Sequence, residues 1–498
     1  MSGNEMYIRM TETKISKLIP RLAVPTIITM LVTSIYNMAD TFFVSQIGTS
    51  ASAAVGINFS LMAMIQAIGF TLGMGSGNYV SRSLGRQDSD GAHRAAATAF
   101  FTAMTLGTIL AILGLLFLDE FVNMLGATPT IAPYAKDYAK YILIATPYMC
   151  CAFVLNNLHR SQGNAFYSML GLATGGILNM ILDPILIFKF NMGISGAAIA
   201  TIFSQFVGFS ILLFMSQRNK KNVTIKLSKF TFKLWVYKEI LKAGLPTLSR
   251  QGLASMAAVA LNVCASPFGD AAIAAMSITV RIMIFIGSSL IGFGQGFQPV
   301  CGFNYGARKY DRVLEAYHFC LKVGVVLLSV LGIICFIFAP EIIALFRKED
   351  LEVIEIGTVA LRYQCLTLPI QASIVMANML TQSIGYGFWA TLVAMGRQGI
   401  FLIPALFILP NIFGQLIIMS MFSIPNAIFM ETTLSFVGLG IPAPNVSLGV
   451  MISEGFKSFM ISPYMTIIPA MVLAILMLSF NLLADGLKDA FDPKMKEM

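Results

Sequence analysis

Residues 23–47 read AVPTIITMLVTSIYNMADTFFVSQI, an almost unbroken apolar run from Ala23 to Ile47. Roughly 20 apolar residues rising 1.5 Å each span the hydrocarbon of a bilayer as a helix, and this run is long enough to do so. It nevertheless carries a carboxylate, Asp40, with Tyr36 one turn earlier on the same face. An acid at bilayer depth costs a few kcal/mol even on lenient insertion scales, so it faces a cavity, titrates, or binds an ion. The pattern recurs in ILNMILDPILIF (177–188), where Asn179 and Asp183 again stand four residues apart. These two segments read as the working part of the chain, and the remaining helices as their mechanical support.

Composition places the rest of the chain around them. Hydrophobic residues make up 57% of the 498 and charged residues 11%, and apolar runs recur from end to end. That is the profile of an all-α polytopic membrane protein. The net charge of +9 does not point to nucleic acid, because the bases cluster between apolar runs, at Lys14–Arg21, Arg82–Arg94, Arg218–Lys242 and Arg308–Arg312. Intervening loops such as 48–52 and 266–271 have no Lys or Arg. Alternation of this kind predicts a plasma-membrane protein with its N-terminus in the cytoplasm, surrounded by membrane lipids. The polar first twenty residues contain no cleavable signal, so the first helix serves as the insertion signal. Neither the seven cysteines nor His93, His159 and His318 have metal-ligand spacing. With no nucleophile triad and no Walker A motif, the sequence does not read as an enzyme.

About eleven apolar runs precede Pro410, and they repeat. AVPTI around Pro25 matches GLPTL around Pro246, an offset of 221 (246 − 25). GTSASAAVGI from Gly48 matches GDAAIAAMSI from Gly269 at the same offset. GMGSGNYVSRSLGRQD from Gly73 matches GFGQGFQPVCGFNYGARKYD from Gly292, and Asn156–Gly163 matches Asn378–Gly385. Many secondary transporters build two lobes around a central site from such repeats. Six helices before the basic linker make the repeat parallel. The predicted organisation is an N-lobe over 1–216, a linker over 217–236, and a C-lobe over 237–414, in two six-helix bundles. Asp40 and Asp183 have no acidic counterparts in the second half, which instead carries Arg250 and Arg281. Both acids fall in the outer part of their helices, a placement at similar depth that permits one shared acidic site in the N-lobe.

These blocks, with RSQGNA (160–165), Asn179-x-x-x-Asp183-Pro184 and GISGAAIAT (193–201), resemble the multidrug and toxic compound extrusion (MATE) transporters over about residues 12–414. The resemblance implies twelve helices in two bundles and alternating access driven by inward H⁺ or Na⁺. It also implies export of small amphipathic, often cationic compounds, with no cofactor beyond the coupling ion. Tyr36, Asp40, Asn179, Asp183 and Thr201 match the N-lobe cation site of the DinF-like branch, with Na⁺ at Asp40 and Asp183 as the alternative to a proton. A lipid-precursor flippase shares this architecture.

From about residue 410 the match ends. SIPNAIFMETTLSFVGLGI (423–441), Ser447–Gly449, Ser453–Gly455 and the Asp485–Pro493 region resemble the C-terminal end of dipeptide and oligopeptide ABC-transporter permeases. A join within Leu409–Gly414 is expected, since LPN occurs in both families. A tail over 415–498 then gives 12–13 crossings, with Ile417–Phe436 running inward and Met465–Leu483 outward. No ATPase-docking loop precedes Leu409, so an ATPase partner is not expected. An impaired or non-transporting fusion product is the alternative reading, ahead of an ABC peptide permease subunit.

Overall fold

The structure is a computed structural model that describes residues 3–218, 223–265, 269–346, 350–402, 427, 430–435 and 447–491. Most of the expected join and of the crossing at Ile417–Phe436 lies outside the described residues. Among the described residues all regular structure is helical.

A short helix, α1 (Gly3–Glu12), precedes α2 (Ile15–Ser45), α3 (Thr49–Gly85) and α4 (Ser89–Leu116). After the seven-residue α5 (Leu118–Met124) come α6 (Ala132–Ser161), α7 (Ala165–Pro184) and α8 (Gly193–Arg218). The second half runs through α9 (Leu234–Ala265), α10 (Asp270–Gly306), α11 (Tyr310–Ile337), the short α12 (Ala339–Ala344), α13 (Leu351–Ile384) and α14 (Gly387–Met395). The tail contributes α15 (Leu448–Lys457) and α16 (Tyr464–Phe491). Eight of the described helices are long and apolar enough to cross a membrane. Exposed apolar side chains such as Ile112, Leu113, Leu116 and Ile333 are what lipid-facing positions require.

The repeat holds at the level of single elements. Helices α3 and α10 both have 37 residues, α4 and α11 both have 28, and both pairs start 221 apart (270 − 49; 310 − 89). The left-handed residues fall in register too: Gly48 with Gly269, Gln87 with Arg308, and Gly163 with Gly385. Gln87 and Arg308 are not glycines, so the same connection is enforced twice at a conformational cost.

The described residues fall into two compact units. One comprises Met1–Gln251, Ile291–Tyr317 and Met379–Thr391; the other comprises Gly252–Leu290, His318–Asn378 and Leu392–Met498. Within the first, the ends of the helices near the N-terminus, the basic face, pack backbone to backbone. A Cβ on Gly85 would lie 2.2 Å from the carbonyl oxygen of Phe303, and one on Gly306 would lie 2.1 Å from that of Arg82. Gly306 is the repeat mate of Gly85 and Phe303 that of Arg82, so α3 and α10 touch about a local two-fold axis. The C-terminal ends of the two glycine-rich blocks therefore touch each other, whereas Gly73 and Gly77 pack on α6, Gly75 on α9, and Gly292 and Gly296 on α2, as small residues do at close helix crossings in membranes.

Polar links hold the same face. Thr26 donates to Gly292 O at 2.6 Å, Asn304 donates to Met10 O at 3.0 Å, and Arg312 donates to Thr13 O at 2.6 Å. Arg160, fully inside the packing, donates to Gln295 Oε1 at 2.5 Å and also to Asn157 Oδ1. The described part of the basic linker, from Val223 onward, is docked rather than loose. Val223 N donates to Gln162, Thr224 N to His93 Nδ1, and Lys229 pairs with Asp90 at 2.6 Å.

Candidate functional site

Helix α7 carries glycines at 171, 175 and 176, and each makes room for a neighbour. A Cβ on Gly175 would lie 3.1 Å from Ser204 O of α8, and one on Gly176 would meet Val32 and Tyr36 of α2 at 3.0 and 3.2 Å. The Tyr36 ring thus lies across Gly176, and α8 lies against the adjoining face. This close packing brings α2, α7 and α8 together at the ends remote from the basic face, where the polar residues stand.

Asn179 Nδ2 donates to Asp183 Oδ1 at 3.1 Å and to Thr201 Oγ1 at 3.3 Å. Asp183 is fully buried, with 0% of its surface exposed, and Asn179 and Thr201 are buried beside it. Asp40 is half-buried and lies within electrostatic reach of Asp183, and Tyr36 feels the charge of both acids. All five sequence-predicted residues therefore belong to one cluster. Directly after Asp183, Pro184 ends the α-helix and the chain widens into a π turn over Ile185–Lys189. Proline removes one donor and widening re-satisfies the carbonyls, a device recurrent at functional positions.

Tyr138 is the residue that sequence reasoning missed. It projects from α6, is buried, and lies beside Thr201 and in electrostatic range of Asp40, Asp183 and Tyr36. Its only sequence signal is a spacing of four and three from Tyr134 and Tyr141 at a charged helix start, which reads as an interfacial belt.

Several buried polar atoms of the cluster have no hydrogen-bond partner: Asp40 Oδ1, Asp183 Oδ2, Asn179 Oδ1 and Ser204 Oγ. Among the described residues no Lys or Arg pairs with either acid. Carboxylate, amide and hydroxyl oxygens left without a partner are hard ligands suited to a small hard cation or a proton. Of the second-half bases, Arg281 is exposed and Arg250 half-buried. No cluster of three His, Cys, Asp or Glu occurs among the described residues.

A helical, polytopic membrane protein with an internal repeat and a buried acid cluster on one lobe has the architecture of a two-lobed membrane transporter. The MatE family matches residues 25–185 and again 246–408, beginning at the two repeated prolines, and the chain belongs to that family. A second family, the binding-protein-dependent transport system inner membrane component, matches residues 404–497. The chain is 28% identical over 418 residues to the multidrug export protein MepA of Staphylococcus haemolyticus, covering 82% of this chain and 90% of that protein. It is 27% identical over 421 residues to MepA of Staphylococcus aureus, covering 83% and 91%.

Among solved structures it is similar to a MATE transporter crystallised with MaL6, with a TM-score of 0.81 and 26% identity over 87% of this chain and 98% of that one. It is equally similar to a MOP-superfamily transporter from Pyrococcus furiosus, described as having a binding pocket of reverse polarity. There the TM-score is 0.80 and the identity 26%, over 91% of this chain and 98% of that one. The relatives are transporters, which points to transport rather than catalysis.

Proposed function

We propose that the chain is a cation-coupled antiporter of the plasma membrane, N-terminus in the cytoplasm, exporting small amphipathic, often cationic compounds. One observation carries this reading: two acids share a buried cluster whose remaining oxygens have no donor. A buried acceptor without a donor costs about 1–3 kcal/mol, and two neighbouring carboxylates repel. An entering H⁺ or Na⁺ relieves both penalties at once. Because Tyr36 lies against Gly176 and interacts with both acids, loading the site alters α2 packing on α7. Cation and substrate then occupy the lobe in exchange, and loss of the cation to the cytoplasm resets it. The names of the staphylococcal relatives support drugs as the substrate class.

The test is efflux of a cationic dye from proteoliposomes under separately imposed proton and sodium gradients. Asp40→Asn and Asp183→Asn are each expected to abolish gradient-driven transport while the protein remains inserted. Wild-type antiport in the double variant would overturn the coupling role. A second reading, an impaired fusion product, rests on the second family match beginning at 404, inside the end of the first at 408. Inserted wild-type chain with no gradient-driven transport of any kind would favour it. Transport that instead requires ATP and an added peptide-transporter ATPase would revive the permease reading.

A further inference from the structure

A polar cavity of about 500 Å³ opens in the first compact unit at the basic face, far along the helices from the acid cluster. It is formed where α3 ends, α9 and α14 begin and α10 ends. Its lining carries three cations, Arg82, Arg86 and Lys242, against one acid, Glu239. The balance is less even than one acid suggests. Arg82, whose side chain is 5% exposed, approaches Glu239 only to 3.4 Å and spends another N–H on Ser383 O at 3.0 Å. No acid among the described residues pairs with Arg86 or Lys242, and Arg82 and Arg86 repel each other. Tyr79, Tyr305 and Tyr386 complete the wall, with the Arg82 guanidinium 5.9 Å from the centroid of the Tyr79 ring. A buried guanidinium backed by two exposed cations is the chemistry that recognises phosphate.

The mouth of the cavity indicates the source of that phosphate. Trp235 lines it and packs on Tyr79 with ring centroids 6.3 Å apart. Immediately before Trp235 the chain exposes Leu227, Phe232 and Leu234, apolar residues on an otherwise basic segment. Apolar and aromatic side chains beside a cationic hollow match a leaflet surface, where acyl chains and anionic headgroups meet.

We propose that this cavity is a phosphate-binding site, filled by the headgroup of an anionic phospholipid from the adjoining leaflet or by free phosphate. Bound phosphate neutralises the excess charge around Arg82 and so braces the contact between α3 and the Ser383 carbonyl.

The chain has two tryptophans, so Trp389→Phe leaves Trp235 as the sole reporter at the mouth. The full chain in detergent is titrated with short-chain phosphatidylglycerol, short-chain phosphatidylcholine and inorganic phosphate at constant ionic strength. Trp235 emission is followed, and lipid adducts of the same samples are counted by native mass spectrometry. Saturable binding of phosphatidylglycerol tighter than inorganic phosphate supports a lipid headgroup; inorganic phosphate equal or tighter supports a free ion. In either case Arg86→Gln with Lys242→Gln is expected to weaken binding by about tenfold or more. Both side chains are exposed, so the double variant is expected to fold, which its melting temperature checks. Absence of saturable binding by both ligands overturns the proposal. So does phosphatidylcholine binding as tightly as phosphatidylglycerol, or unchanged affinity in the double variant.

Discussion

Asp183 is the residue whose surroundings are hardest to reconcile with a purely structural role. One carboxylate oxygen accepts from Asn179, and the other is buried without a partner. A structural acid in a membrane is ordinarily paired with a base or capped by donors. Four of the five cluster residues could be read from spacing, because Tyr36/Asp40 and Asn179/Asp183 are i,i+4 pairs on single helices. Thr201 came from the family resemblance. Tyr138 could not be read, since it joins the cluster through the packing of α6 on α8, which no one-dimensional period encodes. Its burial beside Thr201 and the two acids gives a prediction: Tyr138→Phe should insert and transport, with the half-saturating concentration of the driving ion shifted by about fivefold. That corresponds to about 1 kcal/mol, the scale of one polar group lost from a buried site. Gradient titrations of dye efflux measure it, and an unshifted midpoint would make Tyr138 a packing residue only.

At the scale of elements, the repeat was legible down to its offset, and helix lengths and left-handed turns repeat with the same interval. What the glycine blocks accomplish was not legible. Glycine content signals close approach, but only the fold reveals that Gly85 and Gly306 face each other's helix across a local two-fold axis. A side chain at either position must displace backbone rather than a flexible tip. Overpacking of this kind costs about 1–3 kcal/mol. Because the clash exists only while α3 and α10 are in contact, Gly306→Leu should bias the protein toward states in which the basic face is open. Cys301, free and 0% exposed on α10, is the native reporter. In a background with the other six cysteines replaced, Gly306→Leu is expected to raise its reaction rate with a membrane-permeant thiol reagent by about 5- to 150-fold. Unchanged protection in a folded variant would mean that the contact does not gate the face.

For the whole molecule, the unresolved tension in the sequence is the direction in which the tail runs. The MatE match ends at 408 and the permease-type match covers 404–497. The tail has internal order of its own: Glu431 accepts from Ser435 at 2.7 Å and from Ser447, which in turn caps α15 through Val450 N. Those are the residues of the permease-like segments, so their pattern is structural at least in part. In the expected topology, eleven crossings from an N-terminus on the basic face deliver the chain to the opposite side, and the expected inward run at 417–436 would return it. α15, ten residues long, is too short to cross, whereas α16, with 28, is long enough. The turn between them should then lie on the same side as the N-terminus. Met460 and Ile461 in that turn are 97% and 88% exposed, so a label reaches them unhindered. With all seven native cysteines replaced, Ile461→Cys in sealed inside-out vesicles is expected to react with an impermeant maleimide, as Glu12→Cys does. Reaction of Ile461→Cys only from the opposite side, with Glu12→Cys unchanged, would mean that the tail crosses once fewer. The chain would then carry its C-terminal segment in the orientation expected of the permeases, not of the exporters.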